Sequence, residues 1–310
     1  MVRGRFAPSP SGRMHLGNLF CALLSFLSVK SRGGDWILRI EDLDTARCRP
    51  DYARQVEEDL RWLGLAWDQG GSAGGPDAPY FQSRRTAFYE EALGRLREMG
   101  LVYPCFCTRA QLHTASAPHR EDGLTVYPGT CRGFSPEDIA AREAAGRKGA
   151  LRLRVPEKSI TFTDGHLGEV TEYLPTDCGD FLLRRSDGLF AYQLAVVVDD
   201  GLMGVNQVVR GRDLLSSTPW QLWLQEQLGF PRPDYCHVPL LAAGDGRRLS
   251  KRDGDMDLGA IRASGVTPQS LVGRLAFLAG IIDREEPVTP EELIPLFRWE
   301  KVRKENIVVK

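Results

Sequence analysis

Two stretches of this chain, more than two hundred residues apart, carry side chains suited to holding phosphate. The first runs Arg5-Phe6-Ala7-Pro8-Ser9-Pro10-Ser11-Gly12-Arg13-Met14-His15-Leu16-Gly17-Asn18. Its pattern predicts a short strand from Val2 to Ala7, a loop stiffened by prolines, and an apolar helix from Leu19 to Val29. A strand that delivers small residues to an open helix N-terminus presents unpaired N–H groups and a positive dipole end, and both attract anions. His15 and Asn18 add side-chain donors there, and Gly12 and Gly17 let a ligand approach the backbone. The second stretch, Arg248-Leu249-Ser250-Lys251-Arg252, lies in a loop of glycines and aspartates and offers a hydroxyl and cations. Either stretch alone would describe many proteins, since a Ser-Lys-Arg triplet is usually a solvated turn. In this order, with an α/β frame between them, the pair is far more specific, and His15, Gly17, Asn18, Ser250 and Lys251 are the candidate phosphate-binding residues.

A second chemistry is written in the cysteines. There are seven, an odd number that points to free thiols or metal ligands rather than a disulfide framework. Cys21, Cys48, Cys178 and Cys236 are scattered and read as small buried hydrophobes. Cys105, Cys107 and Cys131 are grouped, and three thiolates need one more ligand to complete tetrahedral zinc. His113, His119 and Tyr127 are the local candidates. On general grounds a histidine is preferred, because phenolate ligation is rare. Such a closed site is structural and needs no open coordination position.

These groups must be positioned by a soluble α/β frame. Of the 310 residues, 42% are hydrophobic and 26% charged, which allows a sizeable core. No run approaches the roughly 20 apolar residues of a membrane span, and the N-terminus does not read as a signal peptide, so a cytoplasmic protein is expected. The net charge of −1 neither advertises nor excludes a nucleic-acid partner, because phosphate contacts depend on local placement. Strand-like Ile37–Ile40 alternates with helical spacing at Tyr52–Leu63 and Thr86–Met99, which implies a parallel sheet. The texture changes from Cys105 to about Asp180, where short alternating strands follow the cysteines and a helical stretch near Pro136–Gly149. Buried strands are predicted again at Phe190–Val198 and Val205–Val209. Helices are announced by Ser217-Thr218-Pro219, Thr267-Pro268 and Thr289-Pro290, each a capping residue followed by proline in the first turn. The expected organisation is a Rossmann-like parallel sheet in two halves, 1–104 and 181–243. A zinc-bearing α+β insertion, 105–180, splits it, and a small helical region with the Ser-Lys-Arg loop, 244–310, follows.

With that frame between them, the two phosphate stretches resemble the nucleotide signatures of class I aminoacyl-tRNA synthetases. The resemblance implies that an amino-acid carboxylate attacks the α-phosphorus of ATP and pyrophosphate departs. The carboxylate is already ionised at neutral pH, so no general base is needed. Catalysis then reduces to positioning and to donors and cations on the departing phosphates. By resemblance His15 and Asn18 donate to those phosphates, and Lys251 pairs with pyrophosphate. Mg²⁺ enters with ATP, held mainly by phosphate oxygens. The family often has a second histidine where Asn18 stands, and an amide there suits binding rather than proton transfer. Within the class, Arg5–Gly12 and Arg39-Ile40-Glu41-Asp42-Leu43-Asp44 are similar to glutamyl-tRNA synthetase motifs, as is Tyr192 with Arg210-Gly211 eighteen positions on. That likeness implies that Arg5 and Arg210 face substrate carboxylates, that Glu41 takes the α-ammonium, and that Tyr192, Ala7 and Ser9 line the pocket. The chemistry is apt, since guanidinium is the bidentate partner of a carboxylate. Val196 departs from the pattern, because glutamyl enzymes usually carry a polar residue four positions after this tyrosine. Cys105-Phe106-Cys107-Thr108-Arg109 and Tyr127-Pro128-Gly129-Thr130-Cys131-Arg132 look like the zinc insertion of a short glutamyl-synthetase paralogue, and by that likeness the ligands are Cys105, Cys107, Tyr127 and Cys131.

A full glutamyl-tRNA synthetase continues for well over a hundred residues of anticodon-gripping helices, whereas this sequence runs about sixty residues past Lys251. In that respect, and in Val208–Thr218, nearly all of the chain resembles the glutamyl-queuosine tRNA(Asp) synthetase family, which is similar to the catalytic half alone. The likeness implies transfer of glutamate to the cyclopentenediol of queuosine, at the first anticodon position of tRNA(Asp). A pocket that receives an unstacked loop base is a usual RNA mode. The expected partners are ATP, L-glutamate and queuosine-bearing tRNA(Asp), with no membrane, for a monomeric enzyme. Competing readings are a shortened glutamyl-tRNA synthetase charging the 3′ end, a paralogue that binds glutamate or its adenylate without charging RNA, and a nucleotidyltransferase. His15, Glu41, Arg210 and Lys251 together favour a glutamate-activating ligase.

Overall fold

Five short parallel strands form the frame of the molecule: β1 (Arg3–Phe6), β2 (Asp35–Leu38), β3 (Gln69–Gly70), β9 (Gln207–Gly211) and β10 (Asp234–Val238). The computed structural model describes residues 1–108, 111, 126–242 and 257–309; Ser250, Lys251, His113 and His119 lie outside them. The strand order is β10-β9-β1-β2-β3. Strand β1 pairs with β2 on one side, Arg5 opposite Ile37, and with β9 on the other, Gly4 opposite Gln207. The direction of winding therefore reverses between β1 and β9, and a crevice opens at their carboxyl ends. In parallel α/β sheets that crevice is where ligands bind.

Helix α1 (Leu16–Lys30) returns from the end of β1 across the sheet and buries Leu19, Phe20, Leu23, Leu24 and Leu27 with Trp36 and Leu38. It packs so closely that a Cβ at Gly4 would run into the Val29 side chain. A second core joins helix Thr86–Glu98 to helices Tyr192–Leu202 and Thr218–Leu228.

The structure corrects one expected element: the apolar run predicted as a strand at Phe190–Val198 is mostly helix, from Tyr192 to Leu202. Leu194 through Asp200 are all buried in it, so no polar face gives away the helical period.

Inserted between the halves of the parallel sheet is a three-stranded antiparallel sheet, β4 (Val102–Cys105), β5 (Ala150–Leu153) and β8 (Phe181–Arg184). Its outer strands thus span the positions around 104 and 181. A hairpin, β6 (Ser159–Asp164) with β7 (Gly168–Tyr173), extends from it toward β10. Two short strands, β11 (Leu241–Ala242) and β12 (Ile307–Val308), tie the C-terminal segment to the end of β10.

Candidate active site

The crevice at the carboxyl ends of β1 and β9 holds a cavity of about 430 Å³. Arg5, Ala7, Ser9, His15, Gly17, Asn18, Glu41, Tyr192 and Arg210 all line it, so the residues proposed for the amino acid and for the phosphates share one space. Val196 is buried in the second core and does not reach the wall. Cys21, expected to be a core thiol, is only partly buried and lines the cavity, because it follows the open first turns of α1. Burial pushes its thiol up to about 12, so it is a neutral wall atom.

At the phosphate side the loop after β1 ends in a built cap. His15 is the N-cap of α1: its Nδ1 accepts from the Gly17 N–H at 3.1 Å, and its own N–H donates to Asn18 Oδ1 at 3.1 Å. This reciprocal capping box commits the amide oxygen of Asn18 to the backbone. Gly17 is needed for the ring, since a Cβ there would sit 3.0 Å from His15 Cε1 and 3.1 Å from Nδ1. Asp257 bridges to His15, and Leu258 N–H donates to Met14 O.

At the amino-acid side, buried charges form a continuous network. Arg5 Nε lies 3.2 and 3.3 Å from the two oxygens of Asp200. Arg39 Nη1 donates to Asp200 Oδ1 at 2.6 Å, and its Nη2 to Glu41 Oε1 at 3.2 Å. Next to it Asp199 accepts from Arg85 Nε at 2.5 Å, Gln82 Nε2 at 2.8 Å and the Tyr89 hydroxyl at 2.9 Å. Burial raises the Asp200 carboxyl, but Arg39 and Arg5 outweigh it and hold the group below its usual range. For Glu41 burial wins over Arg39 and Arg5, and its affinity for a proton rises. A carboxylate short of compensating charge at the cavity wall attracts an ammonium. Burial also raises the Tyr192 phenol, which stays neutral.

Arg210 is oriented by a different set. Its Nε donates to His237 Nε2 at 3.0 Å, Nη1 to Gln221 Oε1 at 2.7 Å, and Nη2 to Thr218 Oγ1 at 2.8 Å. His237 Nδ1 in turn lies 2.6 Å from Asp164 Oδ2. The supports Arg39, Asp199, Asp200, His237 and Asp164 were not anticipated from sequence. A faint signal existed: two aspartates end an otherwise apolar run at 194–198, and a histidine sits inside the strand Tyr235-Cys236-His237-Val238.

The second cluster is also assembled. Sγ atoms of Cys105, Cys107 and Cys131 lie within 4.8 Å of one another, with Cys107 and Cys131 at 3.6 Å. The Tyr127 hydroxyl is 3.4 Å from Cys105 Sγ and 3.9 Å from Cys107 Sγ, and it accepts from Cys131 N–H at 2.8 Å. Four ligands at tetrahedral zinc, with Zn–S of about 2.3 Å, stand roughly 3.5 to 3.8 Å apart, so the donor set fits the ion. The Arg152 guanidinium lies over the Tyr127 ring, 3.8 Å from its centre.

A sheet order that reverses between β1 and β9, with a charged cavity at that switch point, is the arrangement in which open α/β sheets bind their ligands. All 310 residues match the family described as tRNA synthetases class I (E and Q), catalytic domain, and the chain belongs to that family. It is 52% identical to the glutamyl-Q tRNA(Asp) synthetase of Symbiobacterium thermophilum, over 99% of this chain and 95% of that protein. Identity to the glutamyl-Q tRNA(Asp) synthetase of Nitratidesulfovibrio vulgaris is 50%, over 96% of this chain and 92% of the relative. Among solved structures, a glutamate tRNA ligase from Elizabethkingia meningosepticum, in complex with its amino acid, superposes with a TM-score of 0.85 at 30% identity. That likeness covers 100% of this chain and 67% of the ligase.

Proposed function

We propose that this chain activates L-glutamate with ATP to glutamyl-adenylate and transfers the glutamyl group to queuosine in the anticodon of tRNA(Asp). The observation that carries the reading is the meeting of Arg5, Glu41, Tyr192 and Arg210 with His15 and Asn18 on one cavity at the switch point. Glu41 takes the substrate ammonium, Arg5 and Arg210 face its carboxylates, and Ala7, Ser9 and Tyr192 shape the space between. A carboxylate oxygen attacks the α-phosphorus, the bond to the bridging oxygen breaks, and pyrophosphate leaves with the electron pair. No proton moves in this step, so donors and cations suffice. His15 and the NH₂ end of Asn18 serve the phosphates over the positive end of α1. Lys251 serves the pyrophosphate, with Ser250 next to it in sequence; before that stretch Leu241 lines the cavity, and after it Asp257 bridges to His15. Mg²⁺ accompanies ATP, held by phosphate oxygens. In the second step a hydroxyl of the queuosine cyclopentenediol attacks the acyl carbon, forming an ester and releasing AMP and a proton. The identity to two relatives named for this acceptor supports it over the tRNA 3′ end. Cys105, Cys107, Tyr127 and Cys131 hold a zinc ion whose role is structural. ATP and tRNA as reactants support a cytoplasmic enzyme.

The test offers labelled glutamate and ATP to tRNA(Asp) with and without queuosine, followed by nuclease cleavage. Label is expected only on the anticodon fragment of the queuosine form; label on the 3′ fragment, or on tRNA(Glu), overturns the acceptor. Lys251→Ala should lower glutamate-dependent pyrophosphate exchange by about 10²-fold or more with an unchanged melting curve. Exchange at the wild-type rate would remove Lys251 from the reaction.

A further inference from the structure

Arg5 and Arg210 enter the same cavity, yet the fold holds them in opposite ways. Asp200 matches the charge of Arg5 at 3.2 Å. Arg210 is gripped by uncharged acceptors: His237 Nε2, Gln221 Oε1, Thr218 Oγ1 and, at 3.3 Å, the Leu214 carbonyl. It makes no ion pair among the described residues, although it is buried. The state of His237 follows from its neighbours. Arg210 Nε can only donate, so Nε2 must present a lone pair; Nδ1, 2.6 Å from Asp164 Oδ2, must then carry the proton. The imidazole is therefore neutral with one tautomer. Burial, above all, pushes its pKa down to about 4. Asp164 is itself fixed, accepting from the backbone N–H groups of His166 at 3.0 Å, Leu167 at 2.9 Å and His237 at 3.1 Å. The Tyr235 ring stacks parallel to the imidazole, centroids 6.0 Å apart, and Arg210 Cζ sits 5.0 Å from the centre of the same ring.

We infer that Asp164 and His237 are positioning residues for the amino-acid step: through a neutral imidazole they aim Arg210 into the cavity without neutralising it, so that its charge is left for a substrate carboxylate. A carboxylate in direct contact with Arg210 would compete with the substrate for its charge. Asp164 stands at the end of β6, so the insertion reaches across β10 to set the amino-acid site. The inference rests on the reading of Arg210 as a carboxylate ligand.

Pyrophosphate exchange with purified full-length variants tests it, KM being measured separately for glutamate and for ATP. His237→Leu should raise the glutamate KM about ten- to a hundredfold, the scale of a lost hydrogen bond to a charged group, with the ATP KM unmoved. His237→Gln, whose amide oxygen can accept from Arg210 Nε, should recover most of the loss. His237→Glu should be at least as poor as His237→Leu, because it matches the charge of Arg210 within the fold. Parallel rises in both KM values, equal Leu and Gln variants, or a wild-type Glu variant would each overturn the inference. Should the variants not fold, nitrogen NMR of the wild-type His237 ring decides: a neutral Nδ1–H tautomer at pH 7 is expected, and an Nε2–H or doubly protonated ring overturns the link. Absence of glutamate-dependent exchange in the wild type would instead sink the functional reading, leaving the ring measurement to report on the link alone.

Discussion

Glu41 is a carboxylate the fold would do better without. Burial raises its proton affinity against the pull of Arg39 and Arg5, so ionisation is disfavoured there. Glu41→Gln keeps an acceptor for Arg39 Nη2, now at 3.2 Å from Oε1, while removing the buried charge. We expect exchange activity to fall by about 10²-fold or more while stability changes by less than about 1 kcal/mol or rises, the usual trade at a strained site. A loss of activity tracking a loss of fold would contradict this. Asp200 carries the opposite sign. Its folded pKa is held below the unfolded value near 3.9 by Arg39 and Arg5 against burial, so its stabilisation is complete above about pH 4 and is lost as pH falls through the folded value. Asp164 shifts the same way: burial raises it, but His237 and backbone N–H groups prevail. Urea midpoints should hold steady down to about pH 5 and drop below about pH 4. Asp200→Asn should lose about 3–5 kcal/mol at pH 7, because it leaves buried arginines without their carboxylate, and should show a shallower acid limb. An acid limb as steep as wild type would remove Asp200 as its source.

At the scale of elements, helix α1 should set activity against stability within one turn. Its capping box seats His15 over the cavity with the imidazole so close to Gly17 that a Cβ there would sit 3.0 Å from Cε1. Gly17→Ala adds a good helix former in the first turn, a change that by propensity alone would stabilise by up to about 1 kcal/mol, yet its Cβ presses on the imidazole. The expected variant has an unfolding midpoint at or above wild type and an ATP KM raised several-fold. An unchanged ATP KM would mean that the ring position does not matter to phosphate. Elements of this kind were legible in the sequence because their causes are local: Thr267-Pro268 and Thr289-Pro290 cap helices where their types say they should. The helix Tyr192–Leu202 was not, because burial on every side erases its period. Of the site, the groups facing the cavity could be read from motifs. Their supports could not: Asp164 meets His237 across 73 residues, and Asp200 meets Arg5 across 195, distances set only by the strand order. Cys21 was misjudged for the same reason, since only the crevice turns one face of α1 toward solvent.

Across the whole molecule, the insertion is wired at two places to the residues that hold Arg210. One is the Asp164–His237 link. The other begins at the cysteine cluster, where Tyr127 bridges to Gly179, and Gly179 O accepts from Trp220 Nε1 at 2.9 Å. Trp220 shares its helix with Thr218 and Gln221, two of the holders of Arg210. Among the described residues the apolar group around the cluster is small: Tyr103, Cys105, Tyr127 and Cys131, with Cys107 and Phe134 packed against it. An ion joining 105–107 to 127–131 would therefore contribute folding free energy directly. The purified protein should carry about one zinc per chain, and stripping it with a chelator should lower the melting temperature by roughly 10 °C, the scale of several kcal/mol in a chain of this size. Cys131→Ser should behave like the stripped protein. Tyr127→Phe keeps the three thiolates and the ring under Arg152, so it should retain the fold at saturating zinc while binding the ion at least about tenfold more weakly, as expected when one ligand is lost. Because Trp220 and Thr218 lie on one rigid helix, loss of the ion should also raise the glutamate KM more than the ATP KM. Equal melting temperatures for loaded and stripped protein would show that the thiols pack without metal. A Tyr127→Phe protein with undiminished affinity would move the fourth ligand elsewhere.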